Sequence, residues 1–216
     1  MRWLVVGLGN PGLQYARDRH NAGFHVIDAL SQELGLSCQP QRSGWFGKSK
    51  SYGGEANIGS VEVVLVQPQT FMNLSGEAVD PLVKRYDIAP ENVLVVHDEL
   101  ELSLGRLKFK RGGGEAGHRG LLSISEWLGT RDYPRLRFGI GRPSSPDVSI
   151  SDFVLCPPSS EQEDLWEASV AQAVKMVRCC CEEGLVQAMN QWNSRRLPVS
   201  EKTEGPSETQ PPPESH

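Results

Sequence analysis

Apolar residues in this chain fall into short runs separated by polar and glycine-rich stretches, and the spacing inside each run sets what it can become. Residues Arg2–Gly7 are a β-branched run ended by glycine, which reads as a buried strand. GLGNPG (7–12) follows as a tight loop. A helix comes next, with Asn21 placed to cap it, Gly35 to end it, and Gly23, Val26, Ile27, Leu30 and Leu34 on one stripe. Residues 39–56 read as a strand or hairpin with loops, and 61–67 as a second apolar strand. In 75–86, Val79, Leu82, Val83 and Tyr86 sit at helical spacing, and Pro81 predicts a helix that starts near Asp80 or is irregular. Residues 93–97 form a third buried run, ending at Asp98. Residues 106–110 alternate, with basic side chains opposite Leu107 and Phe109. Residues 135–141 alternate again, with Arg135 and Arg137 opposite Leu136 and Phe138. Between them 118–128 is helical, with Leu121, Ile124 and Leu128 inward. Ser160 and Glu163 suggest a capping box for a long helix reaching Gly184, and a short helix carries Leu185 and Met189.

Strands and helices interleave, and several strands are apolar on both faces. That pattern predicts an α/β sandwich with a mixed sheet, in which sites form beyond the carboxyl ends of strands. Asn10 follows the first strand and Asp98 the third. The chain has no internal repeat. After Arg196 the composition turns to Pro, Glu, Ser and Thr, which reads as a disordered tail over 197–216 behind a domain spanning 1–196.

Composition narrows the class. The chain has 216 residues, 38% hydrophobic and 23% charged, which suits one globular domain. No apolar run approaches the roughly 20 residues of a membrane span, and glycines and a proline interrupt the opening run, so neither a membrane segment nor a signal peptide is expected. Five cysteines without a Cys-x-x-Cys pattern point to reduced thiols and a cytoplasmic protein, with no zinc site. The formal net charge is −5, but 106–142 holds nine basic residues against three acids. The total argues against a polyanion partner, and the central stretch argues for one, because local field governs a binding face.

Several residues could carry chemistry. Gly7-Leu8-Gly9-Asn10-Pro11-Gly12 fits a dinucleotide-binding pattern after a strand. Its context fails, however: Pro11 and a polar run follow it, and no acid ends a second strand about 20 residues on. His20 lies in a polar run before a helix and suits a general base, whereas His25 faces into the helix as a structural group. An aspartate at the strand end, Asp98, can fix the tautomer of a basic histidine, although spacing does not say which one it meets. The Asn73 amide both donates and accepts. The Gly-rich stretch 112–120 lets backbone approach a phosphate or carboxylate closely.

Together the motifs VGLGNPG, Tyr15 with Arg19-His20-Asn21-Ala22-Gly23, PQTFMNLSG (68–76), His97-Asp98-Glu99-Leu100, the stretch 105–120 and RLRFGIGRP (135–143) resemble the bacterial-type peptidyl-tRNA hydrolase family over about residues 3–193. The resemblance implies one α/β domain with a twisted mixed sheet flanked by helices. It also implies hydrolysis of the ester between a peptide and the 3′ ribose of tRNA, with peptidyl-tRNA as partner, no metal or other cofactor, no membrane, and a monomer. By position His20 matches the catalytic base and Asp98 the acid that polarises it. Asn10 and Asn73 match amides that hold the peptide carbonyl and the attacking water. Tyr15, Phe71 and Asn73 match the lining of the site for the tRNA end, His118 and Arg119 fall in a second substrate-contacting motif, and Lys110 and Arg137 match a pair gripping the tRNA 5′ phosphate. Two positions depart from the pattern: Arg119 stands where Asn is usual, and Asp18 where Thr is usual. An RNA-binding relative without hydrolysis, a nucleotide-binding oxidoreductase and a general esterase are the competing readings. They are weakened respectively by the full set of site residues, by the loop context, and by the absence of Gly-x-Ser-x-Gly.

Overall fold

The computed structural model describes residues 1–42 and 49–197. In chain order the strands and α-helices are β1 (Arg2–Gly7), α1 (Ala22–Glu33), β2 (Gln39–Arg42), β3 (Ser49–Ile58), β4 (Val61–Pro68), α2 (Ser75–Arg85), β5 (Val93–Glu99), β6 (Leu107–Arg111), α3 (Arg119–Leu128), β7 (Pro134–Gly139), α4 (Ile150–Val154), α5 (Glu163–Glu183) and α6 (Leu185–Trp192). The strands form one seven-stranded sheet in the order β2-β3-β4-β1-β5-β7-β6. Its centre, β4-β1-β5-β7, is parallel, and its flanks run antiparallel.

Both faces of the sheet are covered, as the apolar strands require. One face packs Trp3, Val5, Val63, Leu65, Leu94 and Val96 against α1, α5 and α6. The other packs Leu4, Val6, Val64, Val66, Val93 and Val95 against α2 and α3. Asn193 closes the outer edge of β6: its Oδ1 accepts from the Phe109 amide at 2.7 Å, and its Nδ2 donates to the Phe109 carbonyl at 3.0 Å. The side chain thus takes the place of a strand partner on an edge that could otherwise recruit another chain.

Local details refine the sequence expectations. Helix α1 ends as expected at Gly35 (φ 63°), with Leu36 N–H on the Ser31 carbonyl and Gly35 N–H on that of Gln32. Helix α2 runs unbroken through Pro81 from Ser75, because Ala78, Val79 and Leu82 bury completely and outweigh one missing hydrogen bond. The capping box is Ser159 with Gln162, one residue before the expected pair, and it opens a short 3-10 turn that leads into α5 at Glu163. All five cysteines are free, with Cys179, Cys180 and Cys181 buried on α5. Among the described residues no helix is long and apolar enough to cross a membrane. The expected tail lies, from 198 onward, outside the described residues.

Candidate active site

Three adjacent parallel strands, β4, β1 and β5, end on the same side of the sheet, and the loops leaving them converge there. Asn10 follows β1, Phe71 and Asn73 follow β4, and His97, Asp98 and Glu99 finish β5. Together with His20, His118, Arg119 and residues of α4 they line a cavity of about 540 Å³.

At its base the Asp98 carboxylate is almost fully buried and serves two histidines through one oxygen. His20 Nδ1–H donates to Oδ1 at 2.8 Å, and His118 Nε2–H donates to the same atom at 3.0 Å. The two rings lie 5.1 Å apart between centroids. His118 caps α3, its Nδ1 accepting from the Leu121 amide at 3.3 Å. A neutral His118 with its proton on Nε2 meets both demands at once. For His20, donation from Nδ1 leaves Nε2 as the lone-pair nitrogen.

The electrostatics follow from these contacts. Burial alone would raise the Asp98 pKa, but His20 and His118 hold it well below the usual carboxylate range. Burial pulls the His20 pKa down, while the charge and hydrogen bond of Asp98, with help from Asp18, more than reverse that, and Arg119 opposes them. The net shift is upward. His97, next to this pair, goes the other way. Burial, then the nearby His118, depress its pKa to about 3. Its Nδ1–H donates to the Asp98 backbone carbonyl at 2.7 Å, and its ring stands edge-on to His118.

The amides are fixed as firmly as the rings. Asn10 Oδ1 accepts from the Met72 amide at 2.9 Å, so the donor end of the Asn10 side chain is what remains for a ligand. Asn21, expected only to cap α1, clasps the Asn10 backbone instead: its Oδ1 accepts from Asn10 N–H at 2.9 Å and its Nδ2 donates to the Asn10 carbonyl at 3.0 Å. The loop after β1 is thereby tied to the turn that carries His20.

The chain matches the family model described as peptidyl-tRNA hydrolase over residues 4–200. It is 46% identical to a peptidyl-tRNA hydrolase of Moorella thermoacetica over 191 residues, covering 88% of this chain and 97% of the relative. It is 45% identical to one of Thermus thermophilus over 196 residues, covering 90% and 98%. The crystal structure of peptidyl-tRNA hydrolase from Acinetobacter baumannii superposes with a TM-score of 0.82 at 38% identity, covering 90% of this chain and 95% of that one. This chain belongs to the peptidyl-tRNA hydrolase family.

Within this hydrolase the expected residues divide into two groups. Asn10, His20, Phe71, Asn73, Asp98, His118 and Arg119 meet in the cavity. Tyr15, Lys110 and Arg137 lie outside its lining. Lys110 and Arg137 stand on one face of the paired strands β6 and β7, where register places Lys108 directly opposite Arg137 and Lys110 opposite Arg135. Arg137 Nε donates to Glu99 Oε2 at 2.9 Å, and Glu99 lines the cavity, so the basic strands and the site are contiguous.

The basic stretch is less open than its count suggests. Arg106 caps the end of α6 by donating to the carbonyls of Asn193, Ser194 and Arg195. Arg111, Arg131, Arg137 and Arg142 pair with Asp132, Glu115, Glu99 and Glu101. Arg135 shares the face of Arg137, opposite Leu136 and Phe138 as expected, but is buried there. Among the described residues Lys108, Lys110 and Arg119 are the cations of that stretch left without an acid or backbone partner.

His20 Nδ1, Asp98 Oδ1 and His118 Nε2 lie within 4.8 Å of one another, a donor set that can ligate a metal. Both ring nitrogens already donate to the carboxylate, so a metal would have to displace two hydrogen bonds and the His118 tautomer. Sequence reasoning missed Asn21 and His97. Asn21 carried a signal only as an amide beside His20 in the Arg19–Gly23 motif, and its pairing with Asn10 eleven residues away was not readable from spacing. The His97 signal was its place beside Asp98 at a strand end.

Proposed function

We propose that this chain hydrolyses the ester joining a peptide, or an N-blocked aminoacyl group, to the 3′ ribose of tRNA, with His20 as the base that activates water. The observation that supports it is the buried Asp98 carboxylate 2.8 Å from His20 Nδ1, which orients the ring and leaves Nε2 facing a cavity lined by amide groups. Asp98 stabilises the imidazolium that forms when Nε2 takes a proton from water. The hydroxide attacks the ester carbonyl, the Asn10 donor end and Asn73 hold the developing oxyanion and the water, and His20 returns the proton to the leaving ribose oxygen. His118 and Arg119 bound the site on the side of α3. Phe71 offers an exposed ring against which the tRNA end can stack, and Tyr15 lies on the 3-10 turn between Asn10 and His20. The unpaired Lys110, with Arg137, takes the 5′ phosphate. The enzyme acts in the cytoplasm as a monomer and uses no metal.

The test is release of the acetylated residue from N-acetylaminoacyl-tRNA, with free aminoacyl-tRNA as control. His20→Ala is expected to lose roughly 10²–10⁴ in turnover while still binding tRNA. Near-full turnover in that variant overturns the assignment. Because the base must be unprotonated and its pKa is raised, activity should fall on the acid side at a pH above the ordinary histidine value. Asp98→Asn should move that limb to lower pH and reduce the rate.

A further inference from the structure

The Gly-rich loop between β6 and α3 is tied down from beneath by an arginine. Arg135 is 2% exposed and sits in β7 between Val95 of β5 and Lys110 of β6. Its guanidinium lies 4.7 Å over the Tyr133 ring, and among the described residues no carboxylate pairs with it. Its partners are backbone carbonyls: Nη1 donates to Gly114 O at 2.9 Å, and Nη2 to Gly113 O at 3.0 Å and, more weakly, to Arg131 O at 3.4 Å. Burying a cation among carbonyl dipoles alone is costly, and a neutral side chain would fill the space more cheaply.

What the charge achieves is visible in the loop. Gly112, Gly113 and Gly117 have φ of 62°, 89° and 80°, and Ala116 also lies at positive φ, 48°. A chain this permissive has little preference of its own for one path. Converging donors from one rigid, planar fork select a path. Arg131, whose carbonyl is the third acceptor, adds a second tie through its own side chain to Glu115 Oε1 at 2.9 Å. The loop then delivers His118, whose Nε2–H must reach Asp98 while Nδ1 caps α3.

We propose that Arg135 is a positioning residue: it fixes the path of the 112–117 loop, and so the seat of His118 on Asp98. Its effect on turnover rests on the function proposed above, whereas its effect on the loop does not. The experiment compares the full chain with Arg135→Met, which keeps bulk without donors, and Arg135→Lys, which keeps charge and one donor group. Three readouts are taken: amide exchange of 112–118 against β5, the ring ¹⁵N signal of His118, and kcat and KM on N-acetylaminoacyl-tRNA. Arg135→Met should leave β5 protected, speed loop exchange by about tenfold or more, and remove the Nε2–H tautomer signal of His118. Its kcat should fall on the order of 10- to 100-fold, with KM within about threefold because Lys110 and Arg137 stand on strands. Arg135→Lys should recover part of both losses. Unchanged loop exchange and an unchanged His118 signal in Arg135→Met overturn the proposal, as does equal kcat in the Met and Lys variants. If Arg135→Met does not fold, Arg135→Lys decides alone: parental exchange and His118 signal in it overturn the proposal, and partial changes in both support it. If the parent fails to release the acetylated residue, the functional reading fails, while the exchange and ring signals still decide the role of Arg135.

Discussion

Two glycine-bearing loops border the site, and they use glycine for largely different reasons. Around the loop after β1, Gly7, Gly9 and Gly23 serve because they have no side chain, and only Gly12 is there for its positive φ, 115°. A Cβ on Gly7 would strike the Gly23 carbonyl, one on Gly9 would lie 2.6 Å from the Phe24 ring, and one on Gly23 would lie 2.5 Å from the Val96 carbonyl oxygen and closer still to the Leu8 amide. Helix α1 thus rests directly on the backbones of β1 and β5, bringing His20 within reach of Asp98. In the 112–117 loop glycine serves because it tolerates positive φ, and around Gly114 and Gly117 the space is open. Each loop is also latched by one side chain, Asn21 for the first and Arg135 for the second. Like composition conceals a packed joint in one place and a folded ribbon in the other. The GxGxxG resemblance to a nucleotide loop dissolves for the same reason: Gly7 and Gly9 face helix α1, at the Gly23 backbone and the Phe24 ring.

The sharpest way to break the contrast is Gly23→Ala. Its methyl meets the backbone of Leu8, just past β1, and of Val96 in β5, so we expect destabilisation of roughly 3 kcal/mol or more and little folded protein, read by denaturant unfolding. Unfolding at the parental midpoint would show that the joint can open. Asn21→Ala should cost about 2–4 kcal/mol, because it leaves both the buried amide and the carbonyl of Asn10 unpartnered. Turnover should fall with it, since Asn10 loses its place. In the other loop the effects shrink. Gly112→Ala places a Cβ at φ 62° with its nearest neighbours at 3.4 Å, and about 1–2 kcal/mol of backbone strain is expected by thermal unfolding. Gly114→Ala, with negative φ and nothing within 4 Å, should change stability by less than about 0.5 kcal/mol. A large loss there would mean that the second loop is packed like the first.

Much of the scaffold was legible because burial leaves a periodic trace. β1, β4 and β5 read as apolar runs, and α1 and α3 as stripes. β3 was harder. It runs ten residues, Ser49–Ile58, and polar and small residues dominate it. The alternation of β6 and β7 places Leu107, Phe109, Leu136 and Phe138 in the core as expected, but it does not say that the basic face opposite is partly covered. Arg135 lies under the glycine loop on that face and Arg137 on Glu99. Alternation assigns a side to a residue, and it does not say what will later fold over that side.

By itself the sequence determined the order and type of the main elements, the family, and the residue types available for chemistry, because these depend on local period and on motifs written along the chain. Tertiary structure alone decided which groups meet. Asp98 is 78 residues from His20 and 20 from His118, and nothing local to any of them shows that both rings share one carboxylate oxygen. The same holds for Asn21 turning from helix cap to loop clasp, and for Arg135, one of the basic residues opposite Leu136 and Phe138, serving as a buried tie. Hydrogen-bond partners and pKa values are properties of distances, and those distances arise only when β4, β1 and β5 end side by side.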